Sequence, residues 1–291
     1  MERALESIQD QTFRDFEVLI IDDGSTDDTP QLVQKWQDKV SFPIVYHWQP
    51  NQGKHVAHNT ALNFSRGKFT VILDSDDMLV PEALEKLKHH WDLIPEDEKD
   101  GFAGVEGLCA HMEDGRIAGT PYPAAPLDSD YIEIRKRYNV GGDKKNAVRT
   151  DLLRRFPFPQ FPGEKHMRPS LLWKRLSHDY KFRYINEVIQ LIEYQPGGLS
   201  SDRFPLRMRN PQGFRYYFRE DINLRSERYD LKDRFDNCAR YVRYSFHCGI
   251  GPLRQYQEIN ARILWAISLP KGLLDWARDR IRMRISGASE K

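Results

Sequence analysis

Short apolar runs alternate with segments of helical spacing along the first third of the chain. Phe16-Glu17-Val18-Leu19-Ile20-Ile21, Ile44 to His47, Phe69-Thr70-Val71-Ile72-Leu73 and Phe102 to Cys109 read as strands. Between them a helix begins near Thr29-Pro30, a second opens after Asn51 and runs to about Ser65, and a third starts near Pro81. Met1 to Ile8 reads as a helix ahead of the first strand. Strands and helices in alternation predict an α/β sheet whose strands are mostly covered. Further on, Thr120 to Pro126 is a loop rich in proline, and Ser170 to His178 returns to helical spacing.

The candidate chemistry sits where two of these strands end. The run Phe69 to Leu73 delivers Asp74-Ser75-Asp76-Asp77, and open α/β sheets bind ligands at the carboxyl ends of their strands. Carboxylates one residue apart suit a hard divalent cation, Mg²⁺ or Mn²⁺, which bridges the oxygens of a nucleotide diphosphate. The same residues also suit a plain turn, with Asp77 capping the helix that follows. The earlier strand ends in Asp22-Asp23-Gly24-Ser25-Thr26-Asp27, where a carboxylate can accept from a base N–H or from ribose hydroxyls. Between the two acidic ends, Asn51-Gln52-Gly53-Lys54-His55-Val56-Ala57-His58-Asn59 opens a helix whose N-terminal N–H groups and Lys54 suit a phosphate.

Taken in order, the strand, DDGSTD, helix, strand, NxGxxxAxN, helix and RGKFTVILDSDD resemble the nucleotide-binding half of family 2 glycosyltransferases of the GT-A type. The resemblance covers roughly residues 1–200. It implies an α/β fold with a GT-A-type doubly wound mixed sheet, and inverting transfer of a sugar from a nucleoside-diphosphate sugar, usually a uridine one, to an acceptor hydroxyl. It implies that Asp22 or Asp23 contacts uracil and ribose, that Ser25, Lys54 and Asn59 belong to the donor site, and that Asp74 lies near ribose and sugar. Asp76 would bind Mn²⁺ or Mg²⁺ with Asp74 beside it, and Asp77 would support that site. The family's catalytic base is a carboxylate, commonly in a Glu-Asp pair before a helix. The matching place here is Phe161-Pro162-Gly163-Glu164-Lys165-His166, so Glu164 is the expected base, Lys165 replaces the second acid, Asp143 is the second choice, and His166 is a candidate for the diphosphate. Family members begin with a strand of the form VSVIIPTYN. Here the visible start reads as the helix after it, so a central parallel strand is expected to be absent, leaving sheet edges open.

Composition fits an enzyme with one large core, or one core plus an appendage, since 40% of the 291 residues are hydrophobic and 30% charged. Cys109, Cys238 and Cys248 are too widely spaced for a metal site or a disulfide framework, which points to a reducing, cytoplasmic setting. No run approaches the roughly 20 apolar residues of a membrane span. The net charge of +1 hides an asymmetry, because residues 203–291 hold 19 Lys and Arg against 10 Asp and Glu, or +9, while residues 1–202 carry −8. In Lys271 to Ile285, Leu273, Leu274, Ala277, Ile281 and Ile285 recur at helical spacing among Arg278, Arg280, Arg282 and Arg284, so this helical extension either packs on its own domain or lies on an anionic membrane at the inner face. Phe214-Arg215-Tyr216-Tyr217-Phe218-Arg219 reads as helix packing, and no nucleic acid is expected. Trp173 and Tyr194 are aromatic candidates for a sugar, with core packing the stronger reading.

The expected organisation is a nucleotide-sugar half over residues 1–110, an acceptor and base half over 111–202, and a basic helical region over 203–291. The acceptor is expected to be a carbohydrate or a lipid-linked glycan of cell-surface polysaccharide or lipopolysaccharide synthesis. Two other classes stay open: a non-catalytic nucleotide-binding remnant, and a sugar nucleotidyltransferase, which would release pyrophosphate.

Overall fold

The computed structural model describes residues 1–193 and 203–289 and gathers the chain into two compact units. The first comprises residues 1–158 and 169–196, and the second residues 159–168 and 197–291.

In the first unit the order is α1 (Glu2–Gln9), β1 (Val18–Asp23), α2 (Thr29–Lys39), β2 (Ile44–Gln49), α3 (Lys54–Phe64), β3 (Phe69–Val71), β4 (Met78–Leu79), α4 (Ala83–Asp92), β5 (Phe102–His111), β6 (Leu127–Ser129), α5 (Tyr131–Lys136), β7 (Lys144–Arg149), α6 (Thr150–Arg155), α7 (Ser170–Leu176) and β8 (Lys181–Ile192). The strands form two sheets. β1 and β2 pair in parallel, and the other six run β3-β7-β5-β8-β4 with β6 also on β8. The larger sheet is mixed, since β5 and β8 are parallel while β3–β7, β5–β7, β4–β8 and β6–β8 are antiparallel. Among the described residues, β1 has no ladder partner other than β2, and β3 none other than β7. The apolar strand β1 is accordingly only half-buried over most of its length.

The core follows from spacing. Ala83, Leu87 and Trp91 recur every four residues on α4 and press one apolar stripe onto Phe102, Val105, Ala147, Ile185 and Ile189 of the large sheet. Two boundaries differ from the sequence reading. The strand expected over 16–21 starts at Val18 and extends through Asp23, with Phe16 packed on Phe42 at 5.0 Å. The strand expected over 69–73 stops at Val71, because the buried Lys145 ammonium captures the Ile72 carbonyl and takes it out of any ladder.

α1 is locked to the segment after β4 by polar side chains in a dry setting. Gln11, with no exposed surface, donates to the Ser7 carbonyl at 2.9 Å and the Val80 carbonyl at 2.8 Å, and accepts from the Leu84 N–H at 3.1 Å. Ser7 Oγ accepts from the Leu79 N–H at 3.1 Å.

The second unit is helical: α8 (Arg203–Arg209), α9 (Pro211–Leu224), α10 (Leu231–His247), α11 (Pro252–Gln257) and α12 (Arg262–Ser289). Phe214 and Phe218 of α9 stack on Tyr244 of α10, with ring centroids 5.1 and 5.9 Å apart, so the aromatic run there is core. The three cysteines are free thiols. No described helix is long and apolar enough to cross a membrane.

Strand pairing in the large sheet depends on a missing side chain. A Cβ built on Gly104 would lie 1.9 Å from the Ala147 carbonyl oxygen, a backbone atom that cannot move without opening the β5–β7 ladder. Gly104→Ala is expected to cost at least about 3 kcal/mol, the upper end for overpacking, read as a lower denaturation midpoint. An unchanged midpoint would mean the strands do not approach this closely.

Candidate active site

The Asp74–Asp77 segment is a turn that crosses the large sheet from one end to the other, since it leaves β3 and enters β4, the two end strands. The Asp77 N–H closes the turn onto the Asp74 carbonyl at 3.1 Å. At its start the turn is pinned by Lys145 of β7. At its end Gln190 of β8 donates to Asp77 Oδ2 at 2.6 Å. The four acidic-turn residues therefore divide by environment: Asp77 is buried, Asp74 is half-exposed, and Ser75 and Asp76 face solvent. Asp77 does not cap α4, which begins six residues later with no side-chain cap.

Charge follows position. Lys54 pairs with both oxygens of Asp74, at 2.6 Å to Oδ2. Burial works against ionisation of Asp74, but Lys54 and then Lys145 outweigh it and hold its carboxyl below the usual range. Asp77 is pushed up to about 6, first by burial and then by the charge of Asp74. Burial pulls the Lys145 ammonium down, with Asp74 pulling it back. Lys145 was not singled out in the sequence, where only its place beside Asn146-Ala147-Val148 in an inward-facing strand marks it.

At the other acidic end, the parallel register sets Asp23 beside Gln49 and Asp22 beside Trp48. Asp22 is buried and accepts from the Tyr46 hydroxyl at 2.6 Å and the Ser25 N–H at 2.7 Å. Burial raises its carboxyl, and these bonds more than reverse that. Asp23 accepts from Gln49 Nε2 at 2.7 Å and from the N–H groups of Gln52 at 2.9 Å and Gly53 at 2.7 Å. Gly24, at φ +88°, could not carry a side chain, since its Cβ would meet the Asn51 nitrogen at 2.7 Å. Asp23 thus holds the loop that opens α3, and the next residue, Lys54, holds Asp74. One continuous set of contacts joins the two acidic strand ends that the sequence left separate.

Asn59 does not reach toward this cluster with its amide. Its Nδ2 donates to the Phe158 carbonyl at 2.8 Å and its Oδ1 accepts from the Phe158 N–H at 2.9 Å, so it clips the end of the first unit's chain in place. Asp143 is exposed in the loop before β7. Trp173 meets Phe182 edge-on at 6.2 Å, which is core packing. Tyr194 lies outside the described residues.

Glu164 and His166 belong to the second unit. Glu164 is buried, and its two oxygens accept from the Gln212 N–H at 2.7 Å and the Gly213 N–H at 2.8 Å at the start of α9. Burial raises its carboxyl, and the two N–H bonds reverse only part of this. The imidazole of His166 stacks on Phe214 at 5.8 Å, and the backbone N–H of His166 donates to Asn210 Oδ1 at 2.9 Å.

Comparison with known proteins draws on the same residues. The profile of Glycosyl transferase family 2 matches residues 1–104. A Methanocaldococcus jannaschii protein, "Uncharacterized glycosyltransferase MJ1057", is 32% identical over 75% of this chain and 72% of its own length. The chain belongs to glycosyltransferase family 2. A Campylobacter jejuni relative, "GalNAc(5)-diNAcBac-PP-undecaprenol beta-1,3-glucosyltransferase", is 27% identical over 66% of this chain, which spans only 59% of that relative. Among solved structures, residues 1–349 of S. aureus TarS in complex with UDP-GlcNAc align over 96% of this chain and 77% of theirs at TM-score 0.60 and 19% identity, a likeness of fold.

In this family 2 chain no described group of three or more His, Cys, Asp or Glu side chains encloses a metal position. Asp76 presents an exposed carboxylate and Asp74 a half-exposed one two residues before it, oxygen donors of the kind that suit a hard divalent cation drawing its other ligands from elsewhere.

The helix that carries Lys54 has its own pH dependence. His58 Nε2 is sealed from solvent without a partner, and burial, reinforced by Lys54, lowers the imidazole to about 4. A base lowered on folding supports the fold above its unfolded value, near 6.5, and loses that support as pH falls through the folded one. Lowering pH from 7 to 4 is therefore expected to cost up to about 3 kcal/mol through this group, a loss that His58→Leu removes. Identical acid limbs in denaturant titrations of the two proteins would refute this.

Proposed function

We propose that this chain is an inverting glycosyltransferase that moves a sugar from a nucleoside-diphosphate sugar, a uridine one, to an acceptor hydroxyl. The observation that supports the reading is the continuous set of contacts from Asp23 through Gln52, Gly53 and Lys54 to Asp74, which joins the two acidic strand ends. Asp22, Asp23 and Ser25 receive the base and ribose, Lys54 meets the diphosphate, and Asp74 lies by ribose and sugar. Asp76, with Asp74 beside it, would hold Mn²⁺ or Mg²⁺, whose charge would offset that on the departing diphosphate.

The acceptor oxygen attacks the anomeric carbon as the bond from that carbon to the diphosphate oxygen breaks, and the acceptor proton passes to a carboxylate. Glu164 is assigned that role, with Asp143 as the second candidate. Its support is a carboxyl made more basic by burial and oriented by two N–H groups. TarS was solved with UDP-GlcNAc, and the Campylobacter relative is named for an undecaprenol-PP acceptor. A lipid-linked or polysaccharide acceptor in surface-glycan synthesis, and a cytoplasmic protein working at the inner membrane face, belong to the same reading.

Calorimetry of uridine diphosphate with and without Mn²⁺ tests the donor site. Metal-dependent binding is expected, weakened about 100-fold or more in Asp76→Ala, the loss of about 2.7 kcal/mol. Metal-independent binding unchanged in that variant would remove the metal from the reading, and pyrophosphate release from a nucleoside triphosphate and sugar phosphate would favour the nucleotidyltransferase class. Once a donor is found, Glu164→Gln is expected to lower kcat about 10²- to 10⁴-fold when measured below its unfolding midpoint, which should itself fall because one of the two N–H groups loses its acceptor, and Asp143→Asn is expected to leave kcat within a few-fold. The reverse ranking would move the base to Asp143.

A further inference from the structure

α12 is apolar on two opposite sides. Its inward side is fixed: Trp265, Ser268, Gly272 and Asp279 are buried, and Asp279 accepts from Arg243 of α10 at 2.6 Å through both oxygens and from His247 at 2.9 Å. Its outward side carries Ile263, Ile267, Leu274 and Ile281, exposed by 81%, 62%, 51% and 58%. At about 100° per residue these four fall within about 40° of one another, opposite the buried set, along roughly 27 Å of helix. The exposed Pro270 lies on the same side. This differs from the face read from sequence alone, because Leu273 and Ala277 are half-buried, whereas the helix begins early enough to add Ile263 and Ile267.

Charge selects the occupant. Residues 262–285 hold six cations, Arg262, Lys271, Arg278, Arg280, Arg282 and Arg284, and two acids. Both acids sit toward the packed side, Asp279 bound to Arg243 and Asp275 to Lys271 at 3.0 Å. The exposed Arg278 and Arg284 flank the apolar line on its two sides. A second copy laid on this stripe would set arginines against arginines, with only Asp275, 3.8 Å from Arg278 and shared with Lys271, to offset them, whereas an anionic lipid surface takes the apolar line into its acyl boundary and the arginines among its headgroups.

We propose that this stripe docks the protein on an anionic bilayer, with α12 lying in the plane of the interface. The inference deepens the transferase reading and takes its biological purpose from it. The docking is measured without donor or acceptor, so either can fail alone.

The test is co-sedimentation of the full chain with phosphatidylcholine vesicles, with and without phosphatidylglycerol. Binding is expected to the anionic vesicles, weak on neutral ones and reduced by salt, and the triple variant Ile267→Ser, Leu274→Ser, Ile281→Ser is expected to lose about tenfold or more in partition. A second variant, Arg278→Gln with Arg284→Gln, is expected to lose binding selectively on anionic vesicles. These residues are exposed, and far-ultraviolet circular dichroism of each variant should match the parent. Absence of vesicle binding by the folded parent, or equal binding by the triple variant, overturns the proposal. So does a lipid-independent dimer that the triple variant abolishes, which would give the stripe to a second copy.

Discussion

The first unit depends on one constraint, that a turn of three carboxylates and a serine must cross the edge of a largely buried sheet. Such a segment cannot be held by burial of its own side chains. It is held instead by what the sheet sends up beneath it: a lysine from β7 taking the Ile72 carbonyl and a glutamine from β8 taking the Asp77 carboxylate. α1 braces the exit, with Gln11 bonded to the Val80 carbonyl and Ser7 to the Leu79 N–H. An unpaired buried polar group costs about 1–3 kcal/mol, so each of these side chains has one energetically acceptable place, and the turn takes its shape from them. Asp74 and Asp76 are left facing outward because Asp77 is the one drawn in.

The same use of polar side chains as pegs recurs deeper in the sheet. Glu106 of β5 stands in register with Asn146 of β7 and Tyr184 of β8, a polar row across three strands. Its carboxylate accepts from the Tyr122 hydroxyl at 2.9 Å and from Asn146 at 3.0 Å. Asn186 then exchanges two bonds with the backbone of Tyr122, at 2.8 and 2.9 Å. The loop over residues 118–126 is thereby attached to the sheet by buried hydrogen bonds at its middle. A surface held this way can vary at its tips without disturbing its base.

What was legible in the sequence was whatever depends on local order. The apolar runs and the turns after them placed β1, β2, β3 and β5 to within two residues, because strand period and turn chemistry act over short stretches. Asp22, Asp23, Lys54, Asp74 and Asp76 stand out in the sequence for the same reason, as the polar residues that follow those runs. Illegible was everything set by long-range contact: that Lys145, more than 70 residues away, underlies Ile72; that Asn59 clips Phe158 across 99 residues; that Gln190 selects Asp77. Periodicity also failed on α12. A helix apolar on two sides gives no phase from which to tell the packed side from the free one, and only its contacts with α10 settle it.

Glu164 shows why a cap and a base are not competing assignments. Each carboxylate oxygen has two lone pairs, and the Gln212 and Gly213 N–H groups take one from each. Two acceptor sites therefore remain for a proton, on a group whose direction the helix start has already fixed. Hydrogen bonds from N–H donors alone would make such a carboxylate a weak base, because they favour its charged form. Burial acts the other way and prevails, leaving the carboxyl raised. The neighbouring Lys165 is exposed, so the residue that replaces the family's second acid takes no part in setting that balance. The basicity of Glu164 thus comes from the packing around α9, and replacing the buried neighbours that keep water from it would lower its pKa without touching the carboxyl itself.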